Sequence, residues 1–142
     1  MGRKKADKEY SHLNHNILFI DHEEVMGEFL TKLFSRKTNC TTAFASSVTE
    51  ALNYLGHNSV DLVISANIMP SIHVVDILKI ITRNYTPNVI LHAGYWTHET
   101  KREAFLNGAK AYIKPPFSGD VLVQLADRII NKNISYIGYR LN

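Results

Sequence analysis

The chain has 142 residues, of which 45% are apolar and 20% charged, with one cysteine and a formal net charge of +3. That length and composition suit one domain with its own core and exclude a collagen-like, linker-type or globally disordered chain. Four basic residues (Arg3, Lys4, Lys5, Lys8) and two acids (Asp7, Glu9) fall in the first ten positions, so the rest carries only +1, too little to grip a phosphate backbone.

Residues 1–15 read as a basic, flexible tail. No apolar signal core follows MGRKKADKEY, and no stretch approaches a membrane span. The expected compartment is the cytoplasm, with neither nucleic acid nor membrane as partner. From residue 16, short apolar runs alternate with segments of helical period, which is the pattern of a parallel sheet wrapped by helices. The strands are NILFI (16–20), CTTAFA (40–45), DLVIS (61–65), NVILH (88–92) and KAYIK (110–114). The first, third and fourth are continuously apolar, as central strands covered on both faces should be. The second and fifth are mixed and suit positions nearer the edges.

Between the strands, apolar residues recur at three- and four-residue steps, and each set marks a buried helix face. These are Met26, Phe29, Leu30 and Leu33; Val48, Ala51, Leu52 and Leu55; Val74, Ile77, Leu78 and Ile81; and Val121, Leu122, Leu125 and Ile129. Ser47 with Glu50 forms a capping box, and Ser118 is a further N-cap. Gly56 and Gly108 stand where a left-handed residue would end the second and fourth helices. The fourth helix (97–108) has the weakest stripe, with Ala104 and Phe105 its best core candidates, and is expected to be the loosest. The last residues, 132–142, are apolar for a free extension and are expected to pack on the domain or on a partner.

Right-handed crossovers wind such a sheet doubly, and its ligands sit beyond the carboxyl ends of the strands. The segments there are Asp21 to Glu24, Ser65 to Ser71, Ala93 to Thr97 and Lys114 to Ser118. Neither DHEE nor ANIMPS contains a glycine, so the phosphate-cradling turns of nucleotide-binding enzymes are missing. No serine or cysteine sits in a GxSxG elbow. No enzymatic activity is expected.

The segments ILFIDHEE, DLVISANIMP, VILHAGY and GAKAYIKPPF occur in the order and spacing of the receiver domain of two-component response regulators, which residues 16–131 resemble. The resemblance implies a flavodoxin-like (CheY-like) fold of strand order 2-1-3-4-5 and a role in phosphorelay signal transduction. It also implies a strand-end pocket with two acids that hold Mg²⁺, an aspartate that accepts phosphate, a hydroxyl residue and a lysine. Aligned without gaps, this chain keeps Asp21 as the first acid. It has His22 for the second, Ala66 for the phosphoacceptor, Ala93 for the hydroxyl residue and Pro115 for the lysine. Lys114 falls one residue early, and a shifted alignment would restore it.

Alanine offers neither a nucleophile nor a metal-ligating oxygen, so Ala66 cannot carry a phosphate. One carboxylate is a poor set of ligands for Mg²⁺; Glu23 and Glu24 are better explained as first-turn acids of the first helix. The expectation is a degenerate receiver that uses no cofactor and works as a protein-interaction module without phosphorylation. The alternatives are a receiver that senses a ligand, proton or partner in the altered pocket, or one phosphorylated at another acceptor such as Asp21. The implied partners are signalling proteins, such as a histidine kinase or a downstream effector. A homodimer would form through the face of the fourth helix, fifth strand and fifth helix.

Trp96, Tyr112 and Phe117 are the candidate anchors of that face, and Trp96 and Phe117 could equally fill the space left by the missing charged groups. Tyr112 reads as a half-buried aromatic on an edge strand. Two histidines approach the strand ends. His22 is expected to pair with Asp21 or Glu23 or to cap the first helix, whereas alternation turns His92 to the face opposite Ala93, out of the pocket. Cys40 reads as an inert small apolar residue.

Overall fold

A computed structural model of the chain describes residues 8–66, 74–86, 88–92, 97–132 and 140–141. Strands and helices alternate: β1 (Asn16–Ile20), α1 (Glu24–Lys37), β2 (Thr41–Ala45), α2 (Val48–His57), β3 (Leu62–Ala66), α3 (Val74–Asn84), β4 (Val89–His92), α4 (His98–Leu106), β5 (Ala111–Ile113), α5 (Gly119–Lys132) and β6 (Arg140–Leu141). The sheet is parallel in the order β2-β1-β3-β4-β5-β6. Its first five strands follow the order 2-1-3-4-5, and the end of the chain adds the sixth, with Tyr112 level with Arg140 and Ile113 with Leu141.

Alternation along the strands divides the core in two. Ile17, Phe19, Ile64, Ile90 and Ile113 meet Leu30 and Phe34 of α1 and Leu122 and Ile129 of α5. On the other face Leu18, Ile20, Val63 and Leu91 meet α2, α3 and α4 through Leu55, Leu78, Ile81 and Ala104. Phe34 is fully buried with its ring 5.5 Å from Phe19, whereas Phe29, a core candidate by spacing, is 43% exposed. The stripe of α1 therefore runs through Leu30, Leu33 and Phe34.

Four local readings change. Residues 8–15 are not a free tail: Leu13 is fully buried, and the Tyr10 N–H donates to the Lys37 carbonyl. Gly56 lies inside α2, which gives way to extended backbone at Asn58. Ser47 Oγ accepts from the Glu50 N–H, but the Glu50 carboxylate reaches back to the N–H and hydroxyl of Ser46, so the capping box closes one residue early. β6 turns β5 into an interior strand, and Tyr112 is 3% exposed rather than half-buried. Cys40 touches the Leu13 carbonyl, and burial pushes its thiol pKa up, away from the reactive thiolate.

Gly108 does take a positive φ, +107°, after α4, and a Cβ there would stand 3.0 Å from Thr82 Cγ2. Gly108→Val is therefore expected to lower the unfolding free energy by about 2 kcal/mol, measured by urea denaturation; an unchanged midpoint would refute it.

Candidate functional site

Parallel register brings three residues into one row at the carboxyl end of the sheet. Ile20 is level with Ser65, Ser65 with Leu91, and Ala66 with His92. One step beyond Ile20, Asp21 joins Ala66 and His92. Residues level with one another in a parallel sheet direct their side chains to the same side. β1 and β4 lie about 9.6 Å apart, two strand spacings, with β3 between them. The Asp21 and His92 side chains span that gap across the end of β3, bringing His92 Nε2 to 3.2 Å from Asp21 Oδ2.

Both groups are buried, Asp21 at 3% and His92 at 5% exposure. The contact is not an aligned hydrogen bond: His92 Nε2 has no hydrogen-bond partner among the described residues. The other Asp21 oxygen, Oδ1, accepts from the Glu23 N–H at 2.9 Å and has His22 Nδ1 at 3.7 Å. Burial by itself raises the Asp21 pKa. The His92 edge, the Glu23 N–H and the nearby His22 outweigh burial and hold the carboxyl below its ordinary value.

His92 overturns its expected placement. It faces Asp21, not away from it, because the row level with Asp21 reaches β4 at residue 92 rather than 93. The pocket position on β4 thus belongs to His92, and Ala93 and Trp96 lie outside the described residues. His22 is half exposed between Asp21 and Glu23, with Nε2 3.7 Å from Glu23 Oε1. It does not cap α1; Glu23 occupies the N-cap and Glu24 the first turn.

Phe117 closes the site from above. Its ring centroid stands 6.5 Å from His92 and 6.3 Å from Phe29, on the α1 and α5 side of the sheet. Tyr112 lies on the opposite side, 5.5 Å from the Phe105 ring, with Lys101 Nζ donating to its hydroxyl. The two aromatics therefore share no common face. Pro115 and Lys114 follow β5, the former in a cis peptide bond with Pro116. Lys114 makes no ion pair among the described residues; continuing the alternation of β5 aims it toward the side of Tyr112.

A hard cation such as Mg²⁺ takes several oxygen ligands. Here one Asp21 oxygen is held by a main-chain N–H and the other faces an imidazole, while Ala66 supplies no side-chain oxygen. These residues do not fit a magnesium ion.

A five-stranded, doubly wound core with order 2-1-3-4-5 and a strand-end site defines the CheY-like class of signalling domains. The chain matches the response regulator receiver domain over residues 17–127 and belongs to that family. It is similar to the receiver domain of Francisella response regulator 1452, at 25% identity and TM-score 0.75, with 84% of this chain and 99% of that one covered. The signal receiver domain of an HD domain-containing protein from Pseudomonas fluorescens Pf-5 is 30% identical, TM-score 0.76, with 84% and 96% covered. A response regulator receiver domain protein from Clostridium thermocellum is 28% identical, TM-score 0.75, with 84% and 96% covered. No curated protein sequence matches the chain. Membership places the chain in two-component signalling, among kinases or effectors as partners. Among the described residues no helix is long and apolar enough to cross a membrane.

Proposed function

We propose that this receiver domain is a phosphorylation-independent interaction module in which the strand-end pocket is structural, without enzymatic activity and without bound magnesium. One observation carries the reading: His92 meets Asp21 across the strand that ends in Ala66, the residue that the gapless alignment pairs with the family's phosphoacceptor. The imidazole sets a ring nitrogen against the remaining carboxylate at 3.2 Å. Signalling proteins would then recognise the folded surface itself. The α4, β5 and α5 face stays a candidate for such contacts or for a homodimer, with Trp96 as its anchor and Tyr112 buried beneath it, whereas Phe117 supports the reading as filler over the pocket.

Incubation of the full chain with acetyl phosphate and Mg²⁺, followed by intact-mass measurement, is expected to show no phosphoryl adduct. A hydroxylamine-sensitive adduct would overturn the proposal and direct attention to Asp21, the carboxylate best placed to accept one. A second reading, a proton- or ligand-sensing pocket, is favoured by the buried His92 Nε2, which stands 3.2 Å from Asp21 Oδ2 without an aligned hydrogen bond. It requires a ligand- or pH-dependent thermal shift that His92→Phe abolishes.

A further inference from the structure

The sheet ends at β2, and among the described residues nothing pairs with its outer edge. In a parallel strand the N–H and C=O of one residue point the same way, and the direction alternates along the chain. The Thr41 N–H donates to the His15 carbonyl, and the Ala45 carbonyl accepts from the Asp21 N–H. Thr41, Ala43 and Ala45 therefore face β1, and the main-chain groups of Thr42 and Phe44 point outward. β2 reads TTAFA, with no charged residue to block strand addition.

A groove of about 330 Å³ runs beside this edge between α1 and β2, lined by Glu24, Gly27, Glu28, Thr31, Lys32 and Phe44. Gly27 sets its depth. A Cβ there would come 2.6 Å from two ring carbons of Phe44, so α1 lies as close to β2 as a glycine allows. Phe44 gives the groove an apolar floor. Along the rim, Glu24 and Glu28 stand one turn apart, and Lys32 only partly balances them.

We infer that the α1–β2 edge is a docking site for an extended peptide segment of a partner, in which Lys or Arg stands two positions from a medium-sized apolar residue, so that both point to the α1 side of the sheet. Such a segment adds a strand to β2 through Thr42 and Phe44. It lays an apolar side chain on Phe44 and sets its cations against Glu24 and Glu28. A partner helix would leave the outward main-chain groups unpaired. A second copy paired strand to strand would bring like acidic rims together, and the same acids repel nucleic acid. The inference goes beyond the proposed phosphorylation-independent role and does not depend on the chemistry of the pocket.

The test titrates the full chain with a synthetic peptide in which valine and lysine stand two positions apart with threonine between them, and reads amide exchange residue by residue. The Thr42 and Phe44 amides are expected to slow, while Thr41, Ala43 and Ala45 stay as they were. Glu24→Lys with Glu28→Lys, both on the exposed face of α1, is expected to weaken binding about tenfold. Unchanged exchange at Thr42 and Phe44 would overturn the inference, as would equal binding of the same peptide with glutamate in place of lysine. Protection of both amides before any peptide is added would also overturn it, by giving the edge to another part of this chain or to a second copy. Phosphoryl transfer to the chain, the outcome that refutes the proposed function, leaves this result unaffected.

Discussion

Asp21→Ala is expected to destabilise the domain by about 3 kcal/mol, the cost of removing one member of a buried polar pair. The sign is informative. Where several carboxylates crowd one pocket, deleting one relieves repulsion and raises stability. In this chain Asp21 stands alone, with His92 at 3.2 Å, His22 at 3.7 Å and the Glu23 N–H donating to it. Its loss leaves His92 Nε2 buried without an anion and the Glu23 N–H without an acceptor. Asp21→Asn keeps an oxygen for Glu23 and is expected to fall between wild type and alanine. Urea denaturation decides the matter, and an alanine variant as stable as wild type would refute the pairing.

The same site fixes a pH dependence. The folded pKa of Asp21 lies below its unfolded value. Its contribution is therefore full above the unfolded value of about 3.9 and fades as pH falls through the folded one. The stability difference between wild type and Asp21→Asn should narrow on the acid side of that window. Other carboxylates titrate in the same range, so the comparison between the two chains, not the acid limb of either, carries the prediction.

Most of the architecture is legible because parallel strands announce themselves. NILFI is buried at four of its five positions, and β3 is buried throughout, matching runs that read as apolar without alternation. The cap at Ser47 was legible, whereas Thr97, whose hydroxyl accepts from the Thr100 N–H at the start of α4, was not picked out. Less visible was anything that depends on register between strands distant in sequence. Which residue of VILHAGY ends level with Asp21 depends on how β4 pairs with β3 and on the length of the following connection, and no local pattern encodes either. The gapless alignment of the motifs selects Ala93, whereas the register sets His92 level with Ala66. β6 was hidden for a related reason: two residues pairing with β5 leave no periodicity to read. Phe29 and Phe34 exchanged roles because the two lie near opposite edges of one stripe, and only the packing of α1 against Phe19 and α5 decides between them.

Ala66→Asp puts a carboxylate at the proposed phosphoacceptor position, yet it is expected to cost about 3 kcal/mol of stability and to gain no phosphorylation. Ala66 is 6% exposed and level with His92, so a carboxylate there would be desolvated close to the Asp21 charge. No second acid offsets the deficit in metal ligands, because His22 stands in that place. Phosphoryl transfer to a carboxylate also needs cationic groups around the developing charge, and Pro115 supplies none. Adding His22→Asp, His92→Thr and Pro115→Lys to Ala66→Asp gives the pocket oxygen ligands, a hydroxyl and a lysine together. That combined variant is expected to take up phosphate from acetyl phosphate with Mg²⁺, where the single variant does not. If Ala66→Asp alone becomes phosphorylated, the pocket was inactive only for want of one residue, and the structural role assigned to the Asp21–His92 contact fails.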